Sequence, residues 1–394
     1  MKAFKKAAVG LTALSLAFGL AATAAQAEEI LIGELHPLTG PASFYGIPES
    51  QGIQLAVDEI NAAGGVKIGN QTHTLRLMAE DDQSNPTSAV AALKKLTTSD
   101  VRFIIGPLGS GVAPALFPII DADENLTQIV DGTIAEGVTN GRNIFRNQAN
   151  VGQYDLAVVD LFAARKFPTV AMMTDRFHAG FMGTQPALGE ALTALGSKVV
   201  AEEHYKLGDT DFSAAMTKLA SLKPEVLLIR GYPAEGALIT KQARQLGFEG
   251  QVVWEMVSPP STVLKNISAA EMEGVFNCIP PTTEDYIALG EEKAIAFEKA
   301  YQAKFGTNAG ELSTLSYDAV YILKAAFEKA GSTENKAVNE ALSQLRLDEV
   351  PQLISGYVAH EDGSLFNDMG QVNLRGAVSV WQGEGWKPVT DLNG

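Results

Sequence analysis

The residues best placed to do chemistry are small, hydroxylated and set just after short apolar runs. Pro37-Leu38-Thr39-Gly40-Pro41 leads into Ser43, Phe44 and Tyr45. Gly106-Pro107-Leu108-Gly109-Ser110-Gly111 follows Val101–Ile105, and Asp131-Gly132-Thr133 follows Leu126–Val130. Glycine lets a backbone approach a ligand closely, and a serine ahead of a helix sits where free N–H groups point outward. Such a set can hold a carboxylate without a formal cation. Ser110 and Thr133 could equally cap helices or turns, and spacing alone leaves both roles open. Their recurrence at successive run ends is what favours a ligand.

Catalytic signatures are missing from the same scan. Gly109-Ser110-Gly111 lacks the spacing of a nucleophile elbow and has no histidine close in sequence. Neither common phosphate-binding glycine pattern occurs. His36, His73, His178, His204 and His360 are scattered without metal-ligand spacing, so no metal and no cofactor is expected. Glu202-Glu203-His204 reads as a solvated strand face, and Asp81-Asp82 as turn chemistry. The expectation is a binding protein and not an enzyme.

The elements that must position these residues alternate along the chain. Strand-like runs at Glu29–Gly33, Leu75–Glu80, Val101–Ile105 and Leu126–Val130 are separated by helix-period segments at Glu49–Asn61, Pro86–Thr98 and Val112–Ala122. A second set starts after Arg146-Asn147-Gln148. Its strands are Thr169–Met173, Lys198–Glu203, Glu225–Ile229 and Gln251–Trp254, with helices at Gly152–Lys166, Thr184–Leu195, Phe212–Ser221 and Ala234–Leu246. Helices follow at Glu291–Lys304, Ser313–Ala330 and Glu334–Leu345, and Val372–Trp381 alternates as an antiparallel strand does. Strands joined by single helices imply parallel sheets, so the chain should be α/β with two doubly wound parallel-sheet lobes. In such sheets ligands bind beyond the carboxyl ends of the strands, where the residues above lie.

The N-terminus speaks to compartment. Lys2, Lys5 and Lys6 precede an apolar run from Ala7 to Ala25, and Ala25-Gln26-Ala27 offers a cleavage site. A secretory signal peptide over 1–27 is expected, with the mature chain starting at Glu28 in the periplasm. Losing those lysines would take the formal charge from −16 to −19, which argues against nucleic acid or anionic membrane as a partner. Cys278 is the only cysteine, so no intramolecular disulfide can form and core packing must supply the stability. The 367 residues after the leader exceed one usual core, so two domains are expected.

Several ordered segments carry a resemblance. Pro37-Leu38-Thr39-Gly40-Pro41, Ala56-Val57-Asp58-Glu59-Ile60-Asn61-Ala62-Ala63-Gly64-Gly65-Val66, Asp81-Asp82-Gln83, Ile104-Ile105-Gly106, Gly208-Asp209-Thr210-Asp211-Phe212 and Gln242-Ala243-Arg244-Gln245-Leu246-Gly247 occur in turn. In this the chain resembles the leucine/isoleucine/valine-type periplasmic binding proteins of ABC importers. The resemblance implies the type I periplasmic binding fold, with two lobes joined by three hinge crossings. Lobe 1 would hold 28–148 plus 280–365, and lobe 2 would hold 149–279 plus 366–394. Carried over by position, Ser110 with Gly132 and Thr133 would cradle the ligand carboxylate. Tyr45 and Tyr232 would pack the ligand from the two lobes, and Phe181 or Gly180 would stand where the family has a tyrosine.

The position that pairs a ligand ammonium falls on Met256, with Glu255 one residue away. If Glu255 faces the cleft, the ligand is an amino acid. If it does not, the pocket suits a carboxylate without an amine. Arg176 and Arg230 could be surface residues or could supply a cation for a further carboxylate. The expected function is capture of a branched-chain or other hydrophobic amino acid as the periplasmic component of an ABC importer, by a monomer that delivers it to an inner-membrane permease. An aromatic or other non-amino carboxylate is the alternative, and ligand sensing for a signalling receptor is the alternative of another class.

Overall fold

The computed structural model describes residues 28–393, and the expected signal peptide lies outside them. Six strands build the first sheet: β1 (Glu28–His36), β2 (Val66–Ile68), β3 (Gln71–Asp81), β4 (Phe103–Ile105), β5 (Thr127–Val130) and β6 (Ile144–Arg146). Their order in space is β2-β3-β1-β4-β5-β6. All neighbours run parallel except the β2/β3 hairpin. Helices α1 (Ser43–Ala62), α2 (Pro86–Thr98) and α3 (Ala113–Asp121) make the crossovers. The strands β4, β5 and β6 are buried at every residue, as near-continuous apolar runs covered on both faces should be.

Seven strands build the second sheet: β7 (Thr169–Asp175), β8 (Lys198–Tyr205), β9 (Val226–Arg230), β10 (Gln251–Glu255), β11 (Phe276–Ile279), β12 (Ala377–Gln382) and β13 (Gly385–Pro388). They lie in the order β13-β12-β11-β10-β9-β7-β8, with β12 and β13 antiparallel at one edge. Its helices are α4 (Val151–Arg165), α5 (Ala179–Ala194), α6 (Ser213–Leu222), α7 (Pro233–Gln245) and the short α8 (Pro260–Val263) and α9 (Ala269–Met272). The chain then returns with α10 (Thr283–Ala288), α11 (Glu292–Phe305), α12 (Ser313–Ala330) and α13 (Asn335–Ser343). The side chains of α12 share one core with those of α1 and β1.

The chain therefore passes between the two sheets three times. It leaves β6 for α4 after Arg146 and returns after β11 toward α10. Its last passage falls later than the expected 365/366. Gln371 bridges Arg146 and Asn373 bridges Val358, so the chain stays beside the first sheet until it turns into β12 at Ala377. Fully buried Arg146 fixes this stretch by donating from Nε to Gln371 Oε1 at 2.6 Å.

Several elements depart from the periodicity reading, among them α1, which begins at Ser43 rather than Glu49. Helix α5 starts at Ala179 rather than Thr184, because the His178 ring nitrogen caps it by accepting from the Phe181 N–H at 3.3 Å. Strand β11 carries too short an apolar run to stand out, and pairing between β10 and β12 holds it in place.

Candidate functional site

Strand order selects where a site can form. In the first sheet the chain steps from β1 to β3 on one side and later to β4 on the other, so a crevice opens between the ends of β1 and β4. In the second sheet the same reversal lies between β7 and β9. The residues leaving β1 and β4 are those of the Pro37 and Gly106 segments. Those leaving β7 and β9 are Arg176-Phe177-His178 and Gly231-Tyr232. The two crevices face each other.

An inner cavity of about 50 Å³ lies between them, with Tyr45, Ser110 and Gly132 on one side and Phe181, Tyr232 and Met256 on the other. Ser110 is 3 % exposed and its Oγ accepts from Thr133 Oγ1 at 3.0 Å and from the Ile134 N–H at 3.2 Å. With both acceptor positions filled, the Ser110 hydroxyl can only donate. Thr133 stands behind Ser110 and orients it, without lining the cavity. Gly132 allows this packing, since a Cβ there would sit 2.6 Å from Leu108 Cα. Gly231 plays the same part opposite, because a Cβ on its left-handed backbone would strike the Tyr205 hydroxyl.

Tyr45, in the first turn of α1, reaches across the cleft and donates its hydroxyl to the Val257 carbonyl. Tyr45 and Val257 thereby bridge the two sides of the cleft beside the inner cavity. His178 stacks on Phe181 with ring centroids 4.2 Å apart and leans against Tyr232 at 5.6 Å. Burial first, and the Arg230 charge second, push its pKa down to about 3, so it is neutral in the closed cleft. Since Nδ1 accepts from Phe181 N–H, the neutral ring carries its proton on Nε2. Burial also raises the Tyr45, Tyr154 and Tyr232 hydroxyls and keeps them protonated. None of the residues lining the inner cavity carries a charge. Its polar groups are hydroxyls, an amide and an imidazole.

The structure resolves the choice between Glu255 and Met256. Met256 takes the wall position, and Glu255 does not line the cavity. Adjacent parallel strands place Glu255 in register with Arg230, whose Nε donates to Oε2 at 2.6 Å with both side chains fully buried. Arg230 also donates to Asp155, to the Phe181 carbonyl at 3.0 Å and to Thr184 Oγ1 at 3.1 Å. Burial pushes the Glu255 carboxyl up, Arg230 pulls it down, and neighbouring Asp155 pushes it up again. One guanidinium thus serves two carboxyls, while Glu255 Oε1 is buried without a hydrogen-bond partner and does not line the inner cavity. Arg230 is accordingly not the anchor for a second carboxylate, and exposed Arg176 lies over the Phe177 ring outside the inner cavity.

Tyr45, Ser110 and Gly132 stood out as strand-end residues and line this cavity, and so do Tyr232 and Phe181, to which only the family resemblance pointed. Neither route singled out Gln148, at the first crossing, or His178, which follows β7 at the second switch point. The switch point was the available pointer to His178. Tyr154 on α4 and Leu312 before α12 carried no local sequence mark. Among the described residues no group of His, Cys, Asp or Glu could hold a metal ion, and no helix is long and apolar enough to cross a membrane.

Comparison with known proteins gives a consistent set of matches. Residues 29–377 match the periplasmic binding protein family. The Leu/Ile/Val-binding protein BraC3 of Rhizobium johnstonii is 30% identical over 355 residues, covering 89% of this chain and 92% of its own. A leucine-binding protein, LivK, from Thermotoga maritima superposes with a TM-score of 0.78 at 24% identity, over 92% of this chain and 98% of that one. A solute-binding protein of an ABC transporter from R. palustris, solved with benzoate, superposes with a TM-score of 0.76 at 19% identity, over 92% and 95% of the two chains.

Proposed function

The chain belongs to the periplasmic binding protein family, and from that premise we propose that it captures a small hydrophobic carboxylate for an ABC importer. One observation carries the reading. Residues from the ends of two separate sheets, Ser110 and Tyr45 on one and Tyr232 and Phe181 on the other, converge on a single uncharged cavity. A serine hydroxyl that can only donate suits a carboxylate oxygen, and the aromatic wall suits an apolar body. A ligand that touches both lobes shifts an open–closed equilibrium toward the closed form, because only that form contacts it from both sides. The closed shape is then what an inner-membrane permease receives from a monomer in the periplasm, after export by the N-terminal leader.

In this reading the first lobe holds 28–148 and the return segment from 280, and the second lobe holds 149–279 and the C-terminal strands. The named ligands of the Rhizobium relative support a branched-chain amino acid as the solute. The commitment of Glu255 to Arg230 favours a second reading, an aromatic acid without an amine, which the benzoate complex of the R. palustris protein also supports. A thermal-shift series on the mature chain with leucine, isoleucine, valine and benzoate tests the proposal. At least one of these should raise the melting temperature progressively with concentration, by mass action on the folded state. If none does, the hydrophobic-carboxylate reading is wrong.

A further inference from the structure

His178 caps α5 and is buried, yet its side chain also lines the inner cavity. The Phe181 N–H occupies Nδ1, so the neutral ring carries its one hydrogen on Nε2. Among the described residues that N–H meets no acceptor, and the Nδ1 contact is the one hydrogen bond the ring makes. A buried donor without an acceptor is costly, so such a group answers an acceptor that arrives with a ligand. Of the other side chains on the second-sheet side of the cavity, Phe181, Met256 and Val257 offer no polar hydrogen. The hydroxyls of Tyr154 and Tyr232 can turn to donate or to accept. His178 alone on that side can only donate.

The counterpart on the first-sheet side is Ser110, whose hydroxyl can also only donate. Two close approaches put these residues on one seam. A Cβ on Gly111, next to Ser110, would lie 3.3 Å from the carbonyl of Phe177, next to His178. A Cβ on Gly180 would lie 3.0 Å from Ile134 Cγ1 and 3.3 Å from His178 Cε1, and Ile134 donates its N–H to Ser110 Oγ. Electrostatics favours the same ligand group. Arg230 lies 4.9 Å from the centre of the Phe181 ring on which His178 stacks. Its charge helps to keep the imidazole neutral, and that same charge favours an anion over a cation beside the ring.

We propose that His178 Nε2–H is the second sheet's donor to the solute's carboxylate, opposite Ser110, so that the charged end of the solute joins the two sides of the cleft. This rests on the hydrophobic-carboxylate reading and adds a specificity-determining residue to it. Calorimetric titration of the mature chain with leucine and with benzoate, repeated on His178→Asn and His178→Gln, tests it. Both substitutions remove the ring stacked on Phe181. Asparagine keeps an acceptor where Nδ1 stands, and with it the cap of α5, but has no hydrogen at the place of Nε2. Glutamine carries an N–H to that place and gives up the cap. For whichever of the two solutes the wild-type chain binds, His178→Asn should weaken affinity on the order of tenfold, as loss of one hydrogen bond to a charged group does. His178→Gln should recover most of that affinity. Melting temperatures without solute should rank the variants the other way, with His178→Asn closer to the wild-type chain. Affinity unchanged in His178→Asn overturns the proposal, and so does His178→Gln binding as weakly as His178→Asn. If the wild-type chain binds neither solute, the carboxylate reading itself has failed and the inference falls with it.

Discussion

At the residue scale the site works by committing its charges elsewhere. Arg230 pairs with both Asp155 and Glu255 beneath Phe181, which leaves the inner cavity neutral and lets hydroxyls and an imidazole define it. His178 is the most informative of these groups. Its folded pKa of about 3 lies below the ordinary 6.5, so the unfolded chain binds the extra proton between those values. Its contribution to stability is complete above pH 6.5 and is lost as the pH falls toward 3. Asp318 has the opposite sense: burial lifts it to about 7 from 3.8, so its contribution is present below 3.8 and lost as the pH rises through 7. His178→Gln should therefore flatten the loss of melting temperature on going from pH 7 to pH 5. The change is at most about 1.4 kcal/mol per pH unit for one proton. An unchanged slope would mean that His178 is already charged or exposed. Ser110 and Tyr45 were legible in the sequence because they follow strand ends, whereas Tyr232 was pointed to only by the family resemblance. The role of His178 was not legible, because a histidine's charge is set by neighbours from α5 and β9 that only the fold supplies.

At the element scale, the strands could be read because buried parallel strands are near-continuous apolar runs. Helix ends were harder, since they depend on side-chain caps. The start of α4 is such a case. Asn150 Oδ1 accepts from the Gln153 N–H at 2.9 Å, and Gln153 Oε1 accepts in return from the Asn150 N–H at 2.9 Å. This reciprocal cap fixes the first turn of the helix that carries Tyr154 and Asp155. Asn150→Ala should lower the unfolding free energy by about 1 kcal/mol, and Asn150→Asp should recover most of it. Denaturant melts of the three proteins measure the difference, and equal midpoints would show that the cap contributes nothing.

At the scale of the whole molecule, the two sheets, their parallel cores and the need for a cleft followed from the alternation of runs and helices. The place of the last crossing did not, because the bridges of Gln371 and Asn373 to the first sheet involve no periodic pattern. Nor did closure of the cleft by Tyr45 and Val257, a contact between residues 212 positions apart. In the proposed function one solute is held by both lobes at once. Calorimetric titration with whichever carboxylate stabilises the chain best tests this directly, using Ser110→Ala from the end of one sheet and Tyr232→Ala from the end of the other. Both variants should weaken binding by about tenfold or more, as truncating a buried contact does. If either variant binds as tightly as the wild-type chain, the solute is not held between the lobes as described.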